Sequence, residues 1–475
     1  MTSEHTASDV PAPQEPPPAH DHAALFWLVA AAFIVILNET ITTTAIPRLM
    51  ADLAVDESAA QWLSTVFMLT MAVVIPTTGY LLQRLTTRAA YLAAMATFCA
   101  GTLLAALAPV FEVLLAARMV QASGTAIMMP LLMTTLMQVV HERDRGRVMG
   151  NVSLAISVAP AMGPAVSGVI LQFLPWRWIF LLVLPVAGAV TLLGLRGLRN
   201  VGEPTAESLD IPSIPLAALG FGALVYGLSE VGAPATRTLG LIALGVGMLG
   251  VAAFTWRQLA LAPRGGALLD VRVLQIGTFA RAMAAMAVAF MSLMGVIIVL
   301  QLYLQRGLGH PPLVAGLVVM PGGILMGLMG PWVGRRLDEH GGRVVMIPGA
   351  VLLLATSVGL TMLGASTPLA VVIGLHVALS VGLALLFTPL FTLGLGAVPP
   401  RLYAHGSSVL GTTQQVAGAM GTAVFVTVLS ATGGGLAGVR WAFGVGVVLA
   451  VVTLALVVTL PARNRDAAER AAPGD

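Results

Sequence analysis

Lysine is absent: all 24 basic residues of the 475-residue chain are arginine. A Walker A loop needs a lysine to reach the phosphates, and a Schiff-base enzyme needs one as its nucleophile. Neither chemistry is open to this chain. Cysteine is nearly absent too. Cys99 is the single one and lies in an apolar run, which excludes an internal disulfide and argues against a cysteine-based metal site. Charge is scarce, at 9% of residues, against about 25% in soluble domains. Hydrophobic residues reach 57%, more than a soluble core of this length can bury, whereas a bilayer solvates apolar side chains from outside. The net charge of +3 is spread over loops and points to no nucleic-acid partner. There is no HExxH cluster, no nucleophile motif and no sizeable soluble domain, so an enzyme is not expected.

What is present is a series of long apolar runs. About fourteen of them, between residues 25 and 460, approach the ~20 residues that cross a bilayer. They are long and continuous, not the ~10-residue alternating segments of a membrane β-barrel. Backbone groups in lipid must bond within their own segment, so the chain reads as an all-α polytopic membrane protein. Residues 1–22 are polar and proline-rich with no arginine. They lack the basic start of a signal peptide and read as a disordered tail, as does 461–475. With the N-terminus inside, inner loops and tails hold 17 arginines and outer loops five, the asymmetry of a cytoplasmic membrane protein with both termini in the cytoplasm. An arginine-only chain rich in alanine and glycine points to a GC-rich bacterial genome.

An internal repeat organises the runs. Gly79 to Arg88 and Gly334 to Arg343 share the spacing glycine, three residues, Gln83 or Asp338, four residues, arginine, at an offset of 255. Ala159 to Pro164 matches Ala417 to Thr422 at an offset of 258, where Arg118 also meets His376 and Gly124 meets Gly382. The repeat divides the chain into six-helix bundles at 23–200 and 261–460, with two inserted helices at 201–260. Parallel six-helix repeats, with a cavity between them near mid-membrane, are the plan of major facilitator transporters.

The motifs carry a resemblance. Leu37-Asn38-Glu39-Thr40 through Pro47, the Gly79–Arg88 loop, Arg118-Met-Val-Gln121-Ala-Ser-Gly124, Gly163-Pro164 with Gly168, and Trp176-Arg177-Trp178-Ile179-Phe180 resemble the fourteen-span drug:proton antiporters of the major facilitator superfamily, the EmrB/QacA type. The resemblance covers most of residues 25–460. It implies proton-coupled efflux of drug-like amphipathic compounds and hence antibiotic resistance. No cofactor is implied beyond the proton gradient, and the transporter would work as a monomer. A dedicated exporter of one endogenous antibiotic or metabolite is the alternative, and proton-symport uptake a further one. Three positions depart from the family pattern: Asn38 and Gln83 stand where aspartate is usual, and Ser167-Gly168 where two glycines are common.

Glu39 is the one acid placed well inside the hydrocarbon, and an ionisable group there marks a proton relay by default. At ~1.5 Å per residue, Glu39 lies about 21 Å from the inner end of the first span and Arg118 about 9 Å below the outer end of the fourth, so both fall in the outer third of a ~30 Å core. With Asn38 beside it, Glu39 is the expected proton carrier and Arg118 its counter-charge. His376, at the equivalent place in the second bundle, could relay protons or serve as a neutral hydrogen-bond partner. Gly163, Pro164 and Gly168 are expected to permit close helix approach and a kink, and the resemblance links them to exchange. Gly79, Arg84 and Arg88, with Gly334, Asp338 and Arg343, are expected to form two cytoplasmic latches. In these, arginines bond helix carbonyl ends and pair with acids. Gln121, Gln301, Tyr303, Gln414 and Gln415 are the polar candidates for the substrate cavity.

Overall fold

The computed structural model describes residues 20–201, 210–231 and 236–461. The first half comprises α1 (His20–Thr44), the short α2 (Ile46–Leu53), α3 (Glu57–Arg84), α4 (Thr87–Ala106), α5 (Phe111–Val139), α6 (Arg145–Phe173) and α7 (Arg177–Gly197). Next come α8 (Ser213–Glu230) and α9 (Arg237–Leu261). The second half comprises α10 (Gly277–Leu302), α11 (Pro312–His340), α12 (Gly342–Thr361), α13 (Leu369–Gly396), α14 (Tyr403–Ala431) and α15 (Gly435–Thr459). There is no β-strand among the described residues. The protein is thus all-α, as its composition requires.

Fourteen of these helices have 18 residues or more, and the described residues hold thirteen uninterrupted segments long and apolar enough to cross a membrane. Helix α6 carries Gly146, Gly150, Asn151, Ser153, Ser157, Gly163 and Ser167 among its aliphatic residues. It packs between α1 of its own half and α11 of the other, so protein covers much of it in place of lipid. Two features differ from the sequence-based expectation. Helix α1 begins at His20, inside the stretch expected to be tail, while residues 1–19 and 462–475 lie outside the described set. Helix α2 is the second. Its eight residues include Arg48, which pairs with Asp52 at 3.6 Å, so it is polar on one side and too short to span.

The repeat is written into the helix boundaries. Helices α4 and α12 start and stop 255 residues apart, and α6 and α14 start and stop 258 apart. Arg118 and His376 are each the eighth residue of their helices. A Cβ on Gly124 would fall 2.4 Å from the Ala94 carbonyl of α4, and one on Gly382 3.0 Å from the Gly349 carbonyl of α12. The same small-residue contact therefore joins the same helix pair in both halves.

Polar pins fix the helix ends. On the side away from the termini, Arg177 donates to the Ala108 carbonyl at 2.8 Å and Arg440 to the Leu363 carbonyl at 2.9 Å. The Tyr303 hydroxyl donates to the Gly364 carbonyl at 2.7 Å. Tyr303 is 1% exposed, so this candidate cavity residue is instead a brace between α10 and the α12–α13 loop. Tyr303→Phe is expected to cost about 0.5–1.5 kcal/mol, the net worth of a hydrogen bond to the half-buried Gly364 carbonyl. A lowered melting temperature in detergent, with transport retained, would check this.

Helices α8 and α9 form a hairpin locked by glycines. A Cβ on Gly227 would fall 2.5 Å from the Leu244 nitrogen, and one on Gly247 2.3 Å from the Leu224 nitrogen. The hairpin lies against α3 and α14, one helix from each half.

Candidate functional site

The first site is built around Arg118. Its guanidinium is 1% exposed, deep among α1, α3, α4 and α5, so it does not snorkel to the interface. It donates to Gln121 Oε1 at 2.9 Å and reaches Thr42 Oγ1 at 3.5 Å. The Gln121 amide donates in turn to Thr102 Oγ1 at 2.9 Å. The Phe67 ring covers the guanidinium at 4.1 Å, a cation–π contact that is strongest where water is excluded. Gln121 is fully buried. Its place is that of a positioning residue for Arg118, not of the cavity lining the sequence suggested.

Glu39 sits half-buried on α1, and Arg118 is the charge acting on it. No ion pair within 4.0 Å joins them among the described residues. The two attract across a gap. Beside them, both polar atoms of the Asn38 amide are buried without a protein partner, as is Arg118 Nε. Immobilised polar groups without partners are costly inside a protein, and three such atoms lie on Asn38 and Arg118 beside Glu39.

Helix α6 crosses α1 at this point. A Cβ on Gly163 would fall 2.2 Å from Thr40 Oγ1, so only glycine lets α6 approach the residue after Glu39. Gly168 behaves otherwise: nothing lies within 4 Å of its added Cβ, so the expected close approach does not occur there. Helix α6 runs without a break from 145 to 173 through Pro160 and Pro164. His376 occupies the matching place in the second half, 2% exposed, with Nδ1 unpaired and its ring against Gly322 of α11.

The second site is the seam between the halves, at the end where α1 begins and α15 stops. Gly146 and Gly150 of α6 face Gly330 and Gly334 of α11. A Cβ on Gly150 would fall 2.2 Å from the Gly330 carbonyl, and one on Gly334 2.0 Å from the Gly146 carbonyl. Each helix presents glycines four apart, the spacing that lets membrane helices touch backbone to backbone. Asp338 closes this contact by accepting from the Gly146 and Arg147 amides at 2.9 and 2.7 Å. These are unpaired N–H groups at the positive start of α6. Across the other seam, Thr78 shares a hydrogen bond with Ser408 at 2.7 Å, and Thr134 shares one with Ser407 at 2.7 Å. Gln83, equivalent to Asp338, donates to the Arg401 carbonyl at 3.1 Å.

The expected latches therefore need correction. Asp338 does not pair with Arg343. Arg343 donates to the Leu460 and Val458 carbonyls at 2.7 and 3.1 Å, and Arg88 donates to the Leu195 carbonyl at 2.7 Å. Each arginine caps the last helix of its own half, where carbonyls lack helical partners. Of Arg88, Asp338 and Arg343, Asp338 is the one whose hydrogen bonds cross between the halves. Arg84 lies exposed in the last turn of α3. Gly79 makes room for His405 of α14: its added Cβ would fall 2.7 Å from His405 Nδ1.

The remaining cavity candidates divide. Gln301 lies at the far end of α10, bonded to Gln305 at 3.0 Å and to the Ala315 carbonyl at 3.4 Å. Gln414 and Gln415 are half-exposed near the middle of α14, and Gln414 reaches Met286 Sδ at 3.7 Å. Of the five, these two are partly open near the middle of their helix. Sequence reasoning misses Phe67, Thr102 and the serine–threonine seam, which carry no signal in one dimension. It also misses the paired glycines at 146/150 and 330/334, whose shared four-residue spacing is a usable signal.

Comparison with known proteins agrees with this architecture. Residues 28–422 match the family profile described as Major Facilitator Superfamily. The chain is 38% identical over 84% of its length to a lincomycin resistance protein LmrB of Listeria monocytogenes, covering 85% of that protein. It is 35% identical over 85% of its length to the LmrB of Bacillus subtilis, covering 84% of it. It is 28% identical over 85% of its length to a multidrug resistance protein B homolog of Mycobacterium tuberculosis, covering 75% of it. The human organic anion transporter MFSD10 shares its fold, with a TM-score of 0.70 at 14% identity over 93% of this chain and 100% of that one.

Proposed function

Because this chain belongs to the Major Facilitator Superfamily, a class of multi-pass membrane transporters and not of enzymes, we propose that it exports drug-like amphipathic compounds across a bacterial cytoplasmic membrane in exchange for protons. The termini and the glycine seam then face the cytoplasm, as the arginine asymmetry indicates. The observation that carries the reading is Glu39 facing the buried Arg118 across a gap, with unpaired Asn38 beside it. A carboxyl so placed, facing a fixed guanidinium inside the membrane, can release and take up a proton as the halves rock.

In the exchange cycle, protonation of Glu39 weakens the hold on Arg118. The first half then loosens around α5, and substrate leaves outward. Loss of that proton to the cytoplasm restores the attraction. Gln121, Thr102 and Phe67 keep the guanidinium in place throughout, so a change of charge at Glu39 becomes a change of packing. Gln414 and Gln415 offer polar contacts to substrate at mid-membrane, in the setting where transporter cavities lie. The inserted pair, α8 and α9, fits the fourteen-span drug:proton antiporter type. The LmrB relatives are named for lincomycin resistance, which makes a lincosamide a first compound to try.

The test is expression in an efflux-deficient bacterium, scored for growth across a drug panel with and without an uncoupler. Raised tolerance to several chemically distinct amphipathic drugs, lost with the uncoupler, is the expected result. Protection against one compound alone would favour a dedicated exporter. Increased sensitivity would sink export altogether.

A further inference from the structure

A polar chain runs from the two inserted helices into the seam between the halves. At its start, Arg257 of α9 grips Asp210 through two hydrogen bonds of 2.8 and 2.6 Å. Ser213 bonds the same carboxylate, and the fully buried Gln258 donates to Ser213 Oγ at 2.6 Å. Gln258 Oε1 then accepts from the Leu269 amide at 3.1 Å, and the next amide, that of Asp270, donates to His405 Nδ1 at 3.2 Å. His405 is 3% exposed on α14, with its ring filling the space left by Gly79 of α3. Leu269 also lies against Gly79. Residues 269 and 270 are therefore wedged where a helix of the first half meets a helix of the second, one turn from the Thr78–Ser408 bond.

The chain is kept rigid by charge. The hydrogen bond from Arg257 holds the Asp210 carboxyl below the usual carboxylate range. Burial raises the Asp270 carboxyl, but hydrogen bonds from Arg272 outweigh it and leave that carboxyl lowered as well. A depressed carboxylate stabilises the fold above its ordinary range, and the stabilisation fades only as pH falls through the lowered value. Arg272 also donates to the Ala262 carbonyl at 3.0 Å, which folds the 262–276 connection back on α9. Each polar group from Gln258 to His405 thus has a partner, and a network with all members satisfied specifies one arrangement.

We propose that the α8–α9 insert is a strap on the terminal-side gate, with Gln258 and His405 as the positioning residues that transmit its hold to the α3–α14 seam. The strap favours the conformation with this seam closed, because α8 packs on α3, with Trp62 stacked on Tyr226, while the polar chain ties the same insert to α14, so opening the seam must break one hold or the other. The inference rests on the rocking of two halves proposed above, but not on what is exported or which ion drives it.

The test reads distance between the halves in the full chain, in detergent, with neither substrate nor proton gradient. Cys99→Ala supplies a background without cysteine. Spin labels on Arg143→Cys and Arg336→Cys sit on exposed positions either side of the other seam, so they report motion of whole halves. Gln258→Leu and His405→Leu are expected to shift the distance distribution towards a longer population. His405→Asn, which can set an amide oxygen where Nδ1 accepts, is expected to keep the short one. The proposal fails if Gln258→Leu leaves the distribution as in the parent. It also fails if His405→Asn moves it as far as His405→Leu, since general loss of packing would then explain both. Should His405→Leu not fold, Gln258→Leu decides alone. A drug panel showing no export would overturn the functional reading and leave this distance readout intact.

Discussion

Glu39→Gln is expected to reduce proton-driven export to the level of cells lacking the protein, while the variant still folds and still exchanges substrate for substrate. Glutamine keeps the shape of the side chain and its hydrogen-bonding capacity but has no proton to exchange. It also removes the negative charge that faces Arg118, leaving a buried cation whose partners among the described residues, Gln121, Thr42 and the Phe67 ring, are neutral. The variant is thus fixed close to the protonated state of the cycle. Inverted vesicles with an imposed pH gradient would read the loss directly, since substrate accumulation should follow the gradient in the parent and not in Glu39→Gln. Full gradient-driven accumulation by Glu39→Gln would end the coupling role. Counterflow without a gradient is the control. If it too is lost, the residue binds substrate or holds the fold, and coupling is not its separate task.

Much of the architecture is legible in the amino-acid sequence. Spacing alone places Arg118 and His376 at one depth, and each is the eighth residue of its helix. Hydropathy finds the helices because lipid leaves the backbone no other solution. What spacing and hydropathy do not supply is which polar group meets which. Tyr303 and Gln121 read as cavity residues because a polar side chain in an apolar run has no partner in one dimension. In three dimensions Tyr303 meets Gly364 and Gln121 meets Arg118. Asp338 and Arg343 suggest a pair because they are near in sequence and opposite in charge. The stronger partners for Asp338 are the free amides that begin α6, almost two hundred residues away. Gly168 shares a motif with Gly163, yet the two glycines face different surroundings: Gly163 meets Thr40, and Gly168 meets no neighbour.

That difference supplies the control for the second large effect. Gly334→Ala is expected to abolish export, whereas Gly168→Ala leaves it unchanged. A Cβ at 334 would stand 2.0 Å from the Gly146 carbonyl, while nothing lies within 4 Å at 168. The obstructed atom at 334 is backbone, which cannot swing aside as a side chain would, so α6 and α11 must separate. Separation draws Asp338 from the Gly146 and Arg147 amides and uncovers three polar groups at once. Overpacking of this kind costs about 1–3 kcal/mol, which converts to roughly 5- to 150-fold in an equilibrium between two states. The whole cost falls on the state with this seam closed. The open state has no contact to lose, so the protein should fold normally and stay open at its terminal side. Thiol labelling of a cysteine at Ser153, which accepts a hydrogen bond from Thr388 across the halves at 3.1 Å, would report the change in a Cys99→Ala background. Faster labelling from the cytoplasmic side in Gly334→Ala, and parental labelling in Gly168→Ala, is the expected pattern. Equal labelling in all three would mean that the seam does not gate the cavity, and that the glycines serve helix packing alone.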